Sequence, residues 1–162
     1  MRLQKNTLLA LYSVLEFAAD PARHIAASAI AERYDVSPHH LAKVLSELAR
    51  AGVVESVRGV GGGYRFAANA RRLTLMDVIQ MFEDFGTGDA ARREDGDDTP
   101  VGTALAAVLA EIDEIAKATF STITLATMLR LIERQRAEAA RGTALRPGDG
   151  AVPPARPARR RR

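Results

Sequence analysis

The stretch VVESVRGVGGGYRF, residues 53–66, decides how the chain is read. Four glycines fall within the five positions Gly59–Gly63, with Arg58 just ahead of them and β-branched and aromatic residues on both sides. Such a run suits either a loop cradling the phosphates of a nucleotide or the tip of a β-hairpin. A phosphate cradle must open directly into a helix, whose first amides hold the anion. Here the glycines run into Tyr64-Arg65-Phe66, an aromatic, alternating segment with no capping residue and no helical period. Nor does a Lys-Ser/Thr pair follow the last glycine. The pattern therefore predicts a hairpin with strands Val53–Val57 and Gly63–Ala67 and the tip Arg58-Gly59-Val60-Gly61-Gly62. Glycines at a tip permit positive φ and a close approach of backbone to a ligand.

Immediately upstream lies SPHHLAKVLSELARAG, residues 37–52. Ser37 is a natural N-cap and Pro38 occupies the first helical position, where its missing amide costs nothing. Leu41, Val44, Leu45 and Leu48 form one apolar face, and Gly52 supplies the stop. The polar remainder is His39, His40, Lys43, Glu47 and Arg50. A shorter helix over Ala27–Tyr34 precedes it, followed by Asp35, a residue that tolerates the left-handed conformation. Short helix, tight turn and capped second helix make a helix-turn-helix unit, in which the second helix presents its first turns to base edges. A polar outer face is common to amphipathic helices, but a helix-turn-helix followed by a hairpin is a winged helix, and two local signals then agree.

Charge segregates along the chain. Residues 1–73 carry a net +4, residues 74–140 a net −7 and residues 141–162 a net +6, within an overall +3. A basic head and tail point to a polyanionic partner. With no cysteine among 162 residues, disulfides, thiol switches and thiolate-held metals are excluded, and a reducing cytoplasm is the expected compartment. The apolar run at residues 8–15 resembles an export signal, but Glu16 cuts it short. Leu8, Leu11, Tyr12, Leu15 and Ala19 instead suit one face of a first helix over Asn6–Ala19, and no segment approaches a membrane-spanning length.

Beyond the hairpin, RRLTLMDVIQMFEDF predicts a fourth helix, with Thr74 and Asp77 as a capping box and Leu75, Val78, Ile79 and Phe82 facing inward. Residues 85–100 read as an acidic loop. From Val101 a long helix carries Leu105, Val108, Ile112, Ile115 and Thr119 at alternating spacings of three and four, widened by Leu109. That is a seam for another helix, either in a dimer or within the chain. Thr124 caps a last helix with Leu125, Met128, Leu129 and Ile132, and from about residue 141 the chain reads as a disordered basic tail ending RPARRRR. The expected fold class is mainly α with a small β-hairpin wing: a winged helix-turn-helix over 1–84, the acidic loop over 85–100, dimerisation helices over 101–140 and the tail over 141–162.

The segment SPHHLAKVLSELARAGVVESVRGVGGGYRFA resembles the recognition helix and wing of the bacterial Rrf-two regulators, the group that includes IscR, NsrR and CymR. MRLQKNTLLAL, RRLTLMDVI and FSTITLATML fall where that family has similar segments, so the resemblance covers about residues 1–136. It implies a homodimeric DNA-binding transcription regulator, usually a repressor, reading an inverted repeat in double-stranded DNA. It also implies a recognition helix in the major groove and a wing arginine near the minor groove. By position, Ser37, His39, His40 and Lys43 would serve the first, and Arg58, with Gly59, Gly61, Gly62 and Tyr64, the second. Leu105, Val108, Leu109, Ile112 and Ile115 would form the dimer seam. An arginine on a glycine-rich tip can enter a narrow, electronegative groove.

Several family members hold an iron–sulfur cluster through three cysteines in the loop before the long helix. No such ligand exists here, so no cofactor is expected. Asp89, Glu94, Asp95, Asp97 and Asp98 could offer oxygens to a hard cation, but EDGDD lacks the spacing of a calcium loop. Adjacent His39 and His40 point about 100° apart on a helix and share an ion poorly. A second functional class stays open: a regulator that docks a partner enzyme, with DNA binding secondary and the signal arriving through an unknown effector or protein. An enzyme acting on a nucleotide lacks both the helix after the glycines and a nucleophile–base pair.

Overall fold

A computed structural model describes residues 3–59, 61–83 and 99–144 of the chain. The acidic loop, up to residue 98, and the basic tail from residue 145 lie outside the described residues. Six helices and one hairpin follow in the order α1 (Lys5–Ala19), α2 (Ala27–Arg33), α3 (Pro38–Arg50), β1 (Val54–Val57), β2 (Gly63–Phe66), α4 (Leu75–Ile79), α5 (Pro100–Thr122) and α6 (Leu125–Ala144).

Helix α1 is the centre of the body, touching α3, α4, α6 and β2. The core around it joins its own Phe17 to Ile30, Leu41, Leu45, Leu48, Val78, Ile79 and Leu125, all essentially sealed from water. Its buried face differs from the expected one. Leu9, Ala10, Leu11, Val14, Phe17 and Ala18 are buried, whereas Ala19 is exposed and Tyr12 retains 43% of its surface. The helix is apolar on several sides, so spacing alone does not choose among them; the elements packed around it do. Tyr12 instead stacks on Tyr34 at the end of α2, with ring centroids 5.0 Å apart.

The helix-turn-helix forms by local chemistry. Asp35 takes φ 50° in the turn, and the Val36 N–H donates to the Ala31 carbonyl at 3.0 Å. After α3, Gly52 adopts φ 71° and the Val53 N–H donates to the Leu48 carbonyl at 2.9 Å, a left-handed helix stop that launches β1. The hairpin is antiparallel, pairing Val54 with Phe66 and Val57 with Gly63. Ile25 bridges the other edge of β2, exchanging two 2.9 Å backbone hydrogen bonds with Tyr64. The neighbouring Gly63 lies so close that a Cβ there would meet the Ile25 carbonyl oxygen at 2.4 Å. A glycine is therefore what lets the wing seat on the body.

Helix α4 has the expected capping box, with the Thr74 hydroxyl accepting from the Asp77 N–H and the Asp77 carboxylate accepting from the Thr74 N–H. It is a single short helix, however, and residues 80–82 form a turn. That turn delivers Glu83 to the start of α1. One Glu83 carboxylate oxygen accepts from the Gln4 N–H and from the Thr7 hydroxyl, both at 2.6 Å. Gln4 gives α1 no side-chain cap of its own, so a carboxylate from far along the chain stabilises the helix N-terminus.

Residues 73–75 and 123–125 zip together through hydrogen bonds from the Leu75 N–H to the Ile123 carbonyl and from the Leu125 N–H to the Leu73 carbonyl. This clamp ties the end of α5 and the start of α6 to the body. The Thr124 hydroxyl caps α6 by accepting from the Thr127 N–H at 3.2 Å. From the clamp α5 runs outward, and none of its 23 residues is buried. Among the described residues, nothing covers the apolar row Leu105, Val108, Leu109, Ile112 and Ile115.

Candidate nucleic-acid interface

Helix α3 is held in place by its inner face and left open on its outer one. Leu41, Val44, Leu45 and Leu48 are buried against α1 and α2. The Ser37 hydroxyl accepts from the His40 N–H at 3.1 Å, fixing where the helix begins. His39, Ala42, Lys43, Ser46, Glu47 and Arg50 line a shallow concavity along the exposed side. Of the expected contact residues, His39 and Lys43 share this surface, while His40 is half-buried at its edge. Ala42 and Ser46 were missed, although counting three, four and seven residues on from His39 finds them. Glu47 is tied to Arg50 by an ion pair within the helix. Lys43 makes no ion pair among the described residues, so its ammonium is available to an incoming anion or base edge.

The wing tip is the second exposed basic point. Gly59 and Gly61 both adopt positive φ, 107° and 77°, and the Gly62 N–H closes the turn onto the Gly59 carbonyl at 2.9 Å. Arg58 precedes this turn, exposed and without an ion pair among the described residues. Arg65, the other wing arginine, is paired with Glu55 across the strands. Tyr64 is placed differently from the tip: it is half-buried, its ring centroid is 6.2 Å from that of Phe17, and its backbone holds Ile25. Its visible work is to fasten the wing to the body.

Behind α2 the Glu16 carboxylate accepts from the Tyr34 hydroxyl at 2.8 Å and pairs with Arg33 at 2.5 Å. Burial pushes the Glu16 carboxyl up, but the bonds from Arg33 and Tyr34 and the charges of Arg33 and Arg136 outweigh it and hold its pKa below the usual carboxylate value. Burial, together with the same carboxylate, pushes the Tyr34 phenol up to about 12. This cluster braces the end of α2, from which the turn leads to α3.

The family description "Rrf2, iron-dependent transcriptional regulator" matches residues 3–131. BadM of Rhodopseudomonas palustris, named as an HTH-type transcriptional regulator, is 49% identical over 142 residues, covering 88% of this chain and 90% of that protein. Protein aau3 of Rhizobium meliloti is 42% identical over 84 residues, about half of each chain. Among solved structures, CymR, the global cysteine regulator of B. subtilis, superposes with a TM-score of 0.66 at 22% identity, over 81% of this chain and 98% of its own. IscR of T. potens gives 0.63 at 24% identity, over 83% and 90%. These two likenesses concern the fold.

The iron in the family description finds no thiolate here, because the chain contains no cysteine. Among the described residues no group of three or more His, Cys, Asp or Glu is placed to hold a metal. A cysteine-held cluster does not fit this donor set. No helix among the described residues is long and apolar enough to cross a membrane. With a winged helix presenting an open, basic α3 face, and with the family profile spanning most of its length, the chain belongs to the Rrf2 family and is a DNA-binding transcription regulator.

Proposed function

We propose that the protein is a cytoplasmic, non-enzymatic, homodimeric repressor reading an inverted repeat, each subunit placing α3 in a major groove and its wing tip at the adjacent minor groove. The observation that carries this reading is the pairing state of the basic side chains. Within α2, α3 and the wing, Arg33, Arg50 and Arg65 are engaged with Glu16, Glu47 and Glu55, whereas Lys43 and Arg58 stand exposed with no such partner among the described residues. Ser37, His39, His40 and Lys43 supply the major-groove contacts. Arg58 reaches into the minor groove, and Gly59, Gly61 and Gly62 let the tip backbone approach phosphates. Tyr64 supports the wing from behind. A minor groove that narrows with sequence favours an inserted guanidinium, so Arg58 contributes to specificity as well as affinity.

The second subunit follows from α5. Val101, Leu105, Val108, Leu109, Ile112 and Ile115 are each between 49% and 77% exposed, a continuous apolar surface that a monomer would leave in water. No metal or cluster takes part in this reading; an effector, if the protein answers to one, acts without thiolate chemistry.

The test is Arg58→Ala, measured by fluorescence anisotropy on a selected operator duplex and on random duplex. The expected loss is about tenfold or more on the operator and smaller on random DNA, as for a contact worth roughly 1–3 kcal/mol of discrimination. Equal losses on both would reduce Arg58 to a phosphate contact and remove the wing from the specificity argument.

A further inference from the structure

The outer face of α3 consists of a ridge and two flanks. His39, Lys43, Ser46 and Arg50, spaced four, three and four, are all exposed and stand opposite the buried row Leu41, Val44, Leu45 and Leu48. Ala42 and Glu47 flank this ridge on its two sides. The four ridge side chains differ in what they ask of a base. Ser46, and His39 in its neutral form, can each donate or accept, so neither singles out one base edge. Arg50 only donates, but it sits in the last turn and is paired with Glu47. Lys43 also only donates; it sits in the second turn and makes no ion pair among the described residues.

We propose that Lys43 selects guanine at one base pair of each half-site. This rests on the major-groove docking of α3 proposed above and names what that docking reads. In the major groove guanine presents two acceptors, N7 and O6. Adenine sets one acceptor beside an amino donor, thymine one acceptor beside a methyl group, and cytosine only an amino donor. One ammonium satisfies both guanine acceptors, whereas over cytosine it meets donor with donor and forfeits its hydration without a replacement. Adenine has no matched reader on this helix, because its bidentate partners are Asn and Gln and residues 38–50 contain neither. Nor does a free carboxylate wait for the cytosine amino group, since Glu47 is occupied by Arg50. Position separates this role from a phosphate contact. When a helix lies in the groove, its ridge faces the floor, where the base edges are, and its flanks face the phosphate walls. Lys43 is on the ridge, about 6 Å along the axis from His39.

The test uses the full-length chain and the duplex that it enriches from a randomised library. Each base pair of one half-site is replaced in turn by the other three, and every duplex is titrated by anisotropy with wild type, Lys43→Met and Lys43→Gln. Lys43 is exposed, so neither change removes a buried contact. The wild type should lose about tenfold or more in affinity when one particular G·C pair is replaced. In Lys43→Met that penalty should shrink to within about threefold while the penalties at the other pairs persist. In Lys43→Gln the preference at the same pair should move to A·T, since glutamine matches adenine. Uniformly weaker binding by both variants, with every base-pair penalty kept and a shallower salt dependence, would make Lys43 a phosphate contact and overturn the proposal. An unchanged profile of affinities and penalties would overturn it as well. Failure of the wild type to enrich any sequence is a separate result, which would overturn the sequence-specific reading on which the guanine contact rests.

Discussion

Replacing Ile112 by alanine separates a dimer seam from an ordinary exposed helix by the sign of the effect. Ile112 retains 49% of its surface in the single chain, although it lies mid-helix in a row of large aliphatic side chains. Full burial of an isoleucine is worth about 1.5–3 kcal/mol, so covering the exposed half contributes about 1 kcal/mol per copy. Two-fold symmetry doubles this, and the dimer loses about 2 kcal/mol, a rise of about 30-fold in its dissociation constant. Were the seam only a solvent-facing surface, alanine would raise helix propensity by a few tenths of a kcal/mol and leave association unchanged. Sedimentation equilibrium over a concentration series, with thermal melts of the same samples, measures both quantities. A dissociation constant within threefold of the wild type, with an equal or higher melting temperature, would mean that Ile112 lies outside any interface between copies.

Three further outcomes are expected. Glu83→Ala removes the acceptor for two 2.6 Å hydrogen bonds at the start of α1 and should cost about 1–2 kcal/mol, a fall of roughly 2–8 °C in melting temperature; an unchanged melt would mean that water replaces the carboxylate. Tyr34 holds its proton more tightly folded than unfolded, so its share of the stability is complete below about pH 10 and is lost as pH rises towards 12. Denaturation of wild type and Tyr34→Phe across that window should show the steeper loss in the wild type, and parallel curves would remove the Tyr34–Glu16 bond from the account. Deleting residues 142–162, a segment rich in arginine, should weaken binding to operator and random duplex alike and flatten the salt dependence; a loss confined to the operator would give the tail a role in recognition.

What could be read from the sequence was what short-range chemistry controls. Ser37, Pro38, Gly52 and the spacing of Leu41, Val44, Leu45 and Leu48 specify α3 within one window, and the outer face follows by subtraction. Gly59–Gly63 specify a turn in the same manner. Helix α1 shows where this stops: Leu8, Leu9, Leu11, Tyr12, Val14, Leu15 and Phe17 offer apolar surface in several directions, and only packing with α3, α4, α6 and β2 selects Val14 and Phe17 for the interior. The Glu83 clasp joins residues 79 and 76 positions apart and has no local signature. Tyr64 adjoins the tip in sequence, whereas its pairing with Ile25 and its approach to Phe17 are tertiary facts with no local signature. The apolar row of α5 was legible as a pattern, whereas its exposure among the described residues became visible only once the body was assembled.

Two copies of this winged helix should together read a defined DNA sequence. Selection of bound duplexes from a randomised library, followed by anisotropy titration of the enriched sequence against its scrambled counterpart at physiological salt, tests it most directly. The expected result is an inverted repeat with half-sites about one helical turn apart, bound by two chains per duplex and at least a thousandfold more tightly than the scramble. Failure to enrich any sequence, with equal and steeply salt-dependent binding to both duplexes, would contradict the claim and leave only a basic surface.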